Sequence, residues 1–210
     1  MAVFTKIGLD EINLIEKNFS IGKILNYSGI KKGIENTNYL IKSKKRKFIL
    51  TIFEKRVNSR DLPFFMKLMS GLAQSKIKCP KPVENKKGKY LFKLKGKNAC
   101  LVTFLEGKDK NNLNSKECFV IGKNIARLHN SSKNLRIFRK NSLSVNSWGP
   151  LLKKISRKIN KKFKDLTDNM KTDYIQIKKL WPKKLPTGII HCDLFCLLCT
   201  SPSPRDVVPS

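Results

Sequence analysis

A histidine and an aspartate two positions apart, His191 and Asp193, lie in the segment IIHCDLF at positions 189–195. The isoleucines before them are typical of a buried strand, so we expect Asp193 on the loop that follows. A carboxylate on such a loop can accept the proton of an attacking hydroxyl, as phosphoryl transfer to an alcohol requires. His191 is expected to brace the loop rather than to ionise. Because a single His-x-Asp is common in structural loops, the surrounding elements have to decide its meaning.

Three cysteines near this segment permit other interpretations. Cys192, Cys196 and Cys199 have the C-x-x-x-C-x-x-C spacing of a radical iron–sulfur site, and together with His191 they could also bind zinc. An iron–sulfur motif of that kind should open a large parallel barrel, whereas only a short stretch follows Cys199. A zinc site would need a second structured half that the sequence does not show. We therefore interpret the spacing as accidental.

A glycine- and asparagine-containing loop, SGIKKGIENT at positions 28–37, separates two β-rich runs. Gly33 would let the backbone approach a ligand, and Asn36, Thr37 and Asn38 can donate or accept hydrogen bonds. The loop lacks the Gly-Lys-Ser/Thr ending of a Walker motif. It is a candidate phosphate loop, with an ordinary hairpin turn as the alternative.

Strands dominate the first half of the chain. The β-rich runs occupy residues 23–27, 38–43, 47–53, 90–94 and 99–105, and the last two are joined by a turn at 95–98. A helix with one apolar face is predicted to begin at Asp61, between the third and fourth runs. A shorter helix with Asp10 as its N-cap should precede all five.

Helices take over after a hinge near Glu106 and Gly107. Asn114 and Glu117 form a capping-box pair, and three apolar stripes at helical spacing follow. These stripes are Cys118, Ile121, Ile125 and Leu128, then Leu152, Ile155, Ile159 and Phe163, then Met170, Tyr174, Ile177 and Trp181. The whole order predicts an α+β protein whose five-stranded antiparallel lobe, with one helix, is linked to a helical lobe. This is the ground plan of kinase-like phosphotransferases, in which the backbone near Phe104 and Leu105 could pair with an adenine edge. An ordinary edge strand that leads into a linker is the alternative for this segment.

The composition is strongly basic. Lysine and arginine number 45 against 15 acidic residues, a net charge of +30, which makes a nucleic-acid-binding protein the rival hypothesis. The lysines are spread along the chain and do not cluster with arginine and aromatic residues, so we interpret them as a compositional bias. No secretory signal or long apolar window is present. We expect a cytoplasmic protein whose six cysteines stay reduced.

Several segments in chain order carry a resemblance to bacterial homoserine kinases of the aminoglycoside-phosphotransferase-like type. They are MAVFTKI, GIENTNYLI, FILTIFEKR, DLPFFMKLM, CPKPV, VTFLEGK, ARLHN and WPKKLPTGIIHCDLF. The resemblance implies a two-lobed protein-kinase-like fold, ATP and Mg²⁺ as cofactors, and phosphorylation of L-homoserine to O-phospho-L-homoserine on the route to threonine. Kinases of choline, methylthioribose or aminoglycosides share a looser plan and stay as alternatives.

The resemblance also implies roles for single residues. Asp193 would accept the homoserine hydroxyl proton and His191 would support its loop. The ATP site would comprise Gly33, Asn36, Thr37, Asn38, Phe104 and Leu105. Residues 1–106 would form the nucleotide-binding lobe and 107–195 a partial helical catalytic lobe.

Two departures from the family pattern affect these expectations. Thr51 stands where many members of the wider superfamily have a phosphate-binding Lys or Arg, so the loop backbone, or Lys55 and Arg56, could contact the phosphates instead. Leu198 stands where the family has its metal-binding Asn, and a second metal-binding Asp is not found. We therefore expect an inactive fragment with an incomplete helical lobe. Residues 196–210 resemble translated sequencing-adapter sequence, and a genuine disordered tail is the alternative.

Overall fold

The computed structural model describes residues 3–31, 35–54, 57–107, 112–159 and 163–191, and the backbone of 207–209. The elements are α1 (Leu9–Asn18), β1 (Ile24–Gly29), β2 (Thr37–Ser43), β3 (Lys47–Ile52), α2 (Leu62–Gln74), β4 (Leu91–Leu94), β5 (Lys97–Thr103), α3 (Ser115–Ser132), α4 (Val145–Ser156), α5 (Lys164–Leu180), β6 (Ile189–His191) and β7 (Val207–Pro209). Short 3₁₀ turns occupy Ser59–Asp61 and Lys133–Leu135.

In the described residues, the first five strands form the antiparallel sheet that the sequence predicts. The structure gives their order as β1-β2-β3-β5-β4. The β4–β5 turn is shorter than expected. Lys95 and Gly96 both have positive φ, 48° and 75°, so two residues close the hairpin. Lys97 and Asn98, expected in the turn, already belong to β5 and pair with β4.

The sheet lies between two helices, and each face has its own core. On one face α1 packs Ile12, Ile15 and the adjoining Phe19 against alternate residues of β2, β3 and β5. On the other face α2 packs against Cys100 and Val102. The alternation of side chains along each strand therefore divides every strand residue between an α1 side and an α2 side.

The ends of the first helices differ in detail from the sequence-based expectation. α1 begins earlier than an N-cap at Asp10 would require, because Gly8 is the N-cap and the Glu11 carboxylate accepts from its N–H at 2.7 Å. Asp61 does occupy the N-cap position of α2, but its side chain makes no capping bond. It instead accepts from Arg139 Nε at 2.8 Å.

The helical part confirms some expectations and shortens others. Asn114 and Glu117 do form a reciprocal capping box at α3, with bonds of 2.9 and 3.0 Å. α4 ends at Ser156, so Ile159 and Phe163 do not extend its stripe. None of the helices in the described ranges combines the length and apolar character of a membrane span.

α2 also joins the sheet to the helical part. Leu135, which follows α3, lies so close to Gly71 that a Cβ there would meet its Cδ2 atom at 2.4 Å. Arg139 bonds to Asp61 and lies over the Phe65 ring, 5.3 Å from its centroid. Ile189 of β6 belongs to the same buried cluster as α2. Through Ile189, the strand that precedes Asp193 is therefore part of the core on the α2 side of the sheet.

Two Gly→Ala substitutions in helices should have different effects on stability. At Gly122 in α3 an added Cβ meets nothing within 4 Å, so Gly122→Ala should stabilise by about 0.5–1 kcal/mol through helix propensity alone. At Gly71 the Cγ, Cδ1 and Cδ2 atoms of Leu135 all lie within 3.3 Å of the added carbon. The whole Leu135 side chain must move, so Gly71→Ala should be less stable than Gly122→Ala by about 1–3 kcal/mol. Urea unfolding measures both free energies, and equal gains would contradict the close packing of α2 on Leu135.

Candidate functional site

Hydrogen bonds at both ends fix the loop between β1 and β2. The Ile30 amide donates to the Asn38 carbonyl at 2.8 Å. The Asn36 side chain is only 2% exposed, and its Oδ1 accepts from the Glu54 amide at 3.3 Å. Gly33, the glycine expected to approach a ligand, lies outside the described residues. Asn36 and Asn38, at the C-terminal end of this loop, therefore lie beside the C-terminal end of β3.

Asn38 and Thr51 are paired on the α2 side of the sheet. They are partners in the β2–β3 register, and Thr51 Oγ1 donates to Asn38 Oδ1 at 2.8 Å. The strand position that could carry a phosphate-binding cation thus holds a neutral hydroxyl engaged with an amide. Lys55 and Arg56, the substitutes considered from sequence, lie outside the described residues.

Thr37 faces the other side of the sheet and differs from its two asparagine neighbours. Its side chain is fully buried, and Oγ1 accepts from the Phe4 and Thr5 amides at 2.9 and 3.0 Å. The same hydroxyl donates to Glu54 Oε1 at 2.8 Å. Its hydrogen-bonding capacity is filled inside the protein. A ligand contact by the Thr37 hydroxyl, as expected from sequence, would therefore require one of these bonds to break.

A polar network beneath the loop escaped the sequence-based reasoning. Glu54, whose side chain is 11% exposed, accepts from Thr5 Oγ1 at 2.6 Å and forms an ion pair with Lys97 Nζ. Lys97 also donates to Thr5 Oγ1 at 2.8 Å. Burial raises the pKa of Glu54, but the hydrogen bonds from Lys97, Thr5 and Thr37 outweigh it and leave the pKa below its ordinary value. A carboxylate directly after an apolar strand, in a chain so rich in lysine, was the available signal.

The hinge segment after β5 presents free backbone groups. The Phe104 amide donates to the Lys47 carbonyl at 3.2 Å, and Lys47 Nζ lies 5.3 Å from the centre of the Phe104 ring and 2.7 Å from Glu106 Oε1. In the described part of the chain, nothing hydrogen-bonds to the backbone amide or carbonyl of Leu105. Leu105 can therefore donate and accept toward a flat polar ligand.

The strand before the His-x-Asp segment is confirmed as β6. Ile189 is buried, and His191 is half-buried at the end of the strand. Asp193 and all three cysteines of the considered metal spacing lie outside the described residues, as does Leu198. Among the residues that the structure does describe, no group of His, Cys, Asp and Glu side chains could hold a metal ion.

Comparison with known proteins assigns the family. The family model described as "Phosphotransferase enzyme family" matches residues 26–196. The chain belongs to the phosphotransferase enzyme family. The match runs from β1 through β6, so it includes the loop ends, the hinge and the His-x-Asp segment.

Curated relatives and solved structures agree with this assignment. The chain is 40% identical over 195 residues to a homoserine kinase of Nitrobacter hamburgensis and 38% identical to that of Rhodopseudomonas palustris, in each case over 93% of its own length. It spans 60% of the length of those relatives. A spectinomycin phosphotransferase solved with ADP and spectinomycin superposes with a TM-score of 0.67 at 16% identity, covering 98% of this chain and 69% of the other. The two-lobed phosphotransferase fold expected from sequence is thereby confirmed.

The lowered pKa of Glu54 predicts an acid-dependent loss of stability. A carboxylate with a lower pKa in the folded state stabilises the fold above the ordinary glutamate pKa of about 4.3 and loses that contribution as the pH falls through the folded value. Between pH 5 and pH 3 the wild-type urea midpoint should therefore fall further than that of Glu54→Gln. The matched control Glu84→Gln changes an exposed glutamate and should follow the wild type. Parallel curves for wild type and Glu54→Gln would contradict the assigned pKa direction.

Proposed function

We propose that the chain carries the ATP-binding part and the proton-accepting aspartate of a homoserine kinase. Such an enzyme transfers the γ-phosphoryl group of ATP to the hydroxyl of L-homoserine, giving ADP and O-phospho-L-homoserine. The observation that carries the proposal is the 38–40% identity to proteins named homoserine kinase, which extends over 93% of the chain. Identity of that extent includes both the sheet and the helical part rather than the nucleotide site alone.

Residues 1–106 are assigned to nucleotide binding. Gly33, Asn36 and Asn38 would lie at the phosphates, since the loop between β1 and β2 ends beside β3. The free amide and carbonyl of Leu105 support pairing with the adenine edge, with Phe104 beside it. The Thr37 hydroxyl, bonded to the Phe4 and Thr5 amides and to Glu54, would fix the end of the loop.

Residues 107–195 are assigned to catalysis. Asp193 would accept the proton from the homoserine hydroxyl as that oxygen attacks the γ-phosphorus. His191, at the end of a strand that contacts α3 and shares the α2 core through Ile189, would fix the direction of the loop that bears Asp193. The buried Ile189 anchors that strand, so the position of the carboxylate is tied to the same core as the sheet.

The position that the family resemblance gives to a magnesium ligand is held by Leu198, and the described residues do not supply a substitute. Leu198 offers no oxygen ligand at the position where the family resemblance expects one, and Mg²⁺ binds almost solely to oxygen. No cluster of metal-binding side chains exists in the described ranges. We therefore derive no step through the metal, and we expect this chain to bind ATP without turning it over at an ordinary kinase rate.

The nucleotide part of the proposal is tested with the purified 210-residue chain. ATP should bind with a dissociation constant in the range of about 1 μM to 1 mM that is common for enzyme substrates. Asn38→Ala should weaken binding about tenfold by removing an amide at the loop end, whereas Asn124→Ala, a change at an exposed position of α3, should not. Isothermal titration with ATP measures these values. A chain that shows no heat with ATP would contradict the nucleotide site.

The substrate and the catalytic residue are tested in a chimera. Residues 1–195 are joined to the remaining C-terminal part of the Nitrobacter hamburgensis homoserine kinase, and phosphorylation of L-homoserine, choline and spectinomycin is followed by ³¹P NMR. L-Homoserine should be the preferred acceptor, and Asp193→Asn should lower kcat by about 10²–10⁴-fold while ATP affinity stays. The control Asp165→Asn changes an exposed carboxylate. Preference for another acceptor would replace homoserine as the substrate.

A nucleic-acid-binding function is the second candidate, favoured by the net charge of +30. If nucleic acid is the partner, binding to duplex DNA should be tight near 50 mM salt and fall by about 10³–10⁵ on going to 200 mM. Fluorescence anisotropy with labelled DNA measures this slope. The kinase proposal requires no such affinity, and weak binding near 50 mM salt would rule out the second candidate.

A further inference from the structure

The segment before α1 lies along β2 and is fastened to it by side chains. We call residues 3–7 the N-terminal strap. Besides the two amide bonds to Thr37, the Ile7 amide donates to the Tyr39 hydroxyl at 3.2 Å. That hydroxyl donates in turn to the Thr5 carbonyl at 3.0 Å. The strap is thus held by hydrogen bonds from buried residues of a central strand rather than by packing alone.

The strap touches the point where the loop begins. Gly29 is the last residue of β1, and a Cβ added to it would lie 2.8 Å from Val3 Cγ2 and 3.6 Å from the Tyr39 ring. The neighbouring Ile30 amide is bonded to Asn38. A side chain at position 29 would therefore push the strap away from the sheet. Glycine at position 29 therefore lets Val3 of the strap pack directly against the end of β1, next to the first residue of the loop.

The strap also reaches the point where the loop ends. Thr5 donates to Glu54 Oε1, and the backbone amide of Glu54 donates to Asn36 Oδ1. Thr37 bridges the strap and Glu54 through one hydroxyl. Glu54 is consequently the junction at which the strap, the loop end and β3 meet.

Lys97 neutralises this junction. Its ammonium group contacts both Glu54 Oε2 and Thr5 Oγ1, so the carboxylate is balanced by a cation from β5. Without Lys97, a buried negative charge would stand beside a loop assigned to phosphate binding. That charge would be costly in itself and would repel a polyphosphate.

We infer that the N-terminal strap and the Glu54–Lys97 pair form a positioning device that sets the loop ends, Gly29–Ile30 and Asn36–Asn38, for the phosphates of ATP. Thr5, Glu54 and Lys97 are positioning residues, because they act through the loop and not on the nucleotide. The consequence for ATP rests on the proposed function, whereas the ordering of the loop ends does not.

Hydrogen exchange followed by NMR on the 210-residue chain tests the ordering. The reporters are the Ile30 and Glu54 amides, which carry the bonds at the two loop ends. Thr5→Val, which deletes the bridging hydroxyl, should speed exchange at both amides about tenfold, and Lys97→Met should do the same. The Leu68 and Leu101 amides, in α2 and β5, should keep their rates.

Two matched variants separate positioning from general stability. Thr5→Ser keeps the hydroxyl and should exchange like the wild type. Lys93→Met removes an exposed lysine of β4, on the same sheet, and should also be silent. Unchanged rates at Ile30 and Glu54 in Thr5→Val would overturn the inference. So would an equal rise at all four amides, since that pattern reports global destabilisation only.

ATP titration of the same variants provides the functional readout. Thr5→Val and Lys97→Met should weaken ATP binding about tenfold, and Thr5→Ser and Lys93→Met should not. Faster exchange at the loop ends with unchanged ATP affinity would overturn the link to phosphates. If the wild-type chain itself fails to bind ATP, the proposed function falls, while the exchange rates still decide whether the strap orders the loop ends.

Discussion

The burial of α2 on two sides is the constraint on which the rest of the structure depends. Its sequence, LPFFMKLMSGLAQ, is apolar on nearly every face, and its large residues are buried almost all round. A helix of that kind needs partners on opposite sides. The sheet supplies one partner through Cys100 and Val102, and Leu135 supplies another at Gly71. Ile189 belongs to the same buried cluster, so one core holds both β5, which leads into the hinge, and β6, which precedes Asp193.

A second level of order comes from polar contacts at the strand ends, where the sheet cannot satisfy its own groups. Burying the Glu54 carboxylate is unfavourable by itself, and three donors, Thr5, Thr37 and Lys97, compensate for it. Loss of one donor leaves the others bound to a charge that is no longer fully satisfied. Such a network is sensitive to each member, so it can fix the direction of the chain more narrowly than apolar packing can.

The sequence could predict most elements because their signals are local. The strands, the apolar face of α2 and the Asn114–Glu117 capping box follow from spacings of two to four residues. The errors arose at element ends, where single contacts decide the outcome: Gly8 became the N-cap of α1 because the Glu11 carboxylate accepts from its amide, and paired positive-φ residues shortened the β4–β5 turn.

The network around Glu54 could not be found in that way. Its members are separated by 49 residues between Thr5 and Glu54 and by 43 between Glu54 and Lys97. No periodicity joins positions so far apart, and only the sheet order brings them together. For the same reason the sequence alone suggests a ligand contact for Thr37, although the structure shows its hydroxyl hydrogen-bonded inside the protein.

The ion pairs among the described residues show which lysines are neutralised by carboxylates and which are not. Carboxylates near the site are matched by cations, as Glu54 is by Lys97, Glu106 by Lys47 and Asp61 by Arg139. Most remaining lysines are therefore uncompensated and create a positive field that draws in any polyanion. That field cannot select a nucleotide over a nucleic acid, because it acts on charge alone. Selection has to come from groups with fixed directions, and we propose that these are the Asn side chains at the loop end and the Leu105 backbone at the hinge.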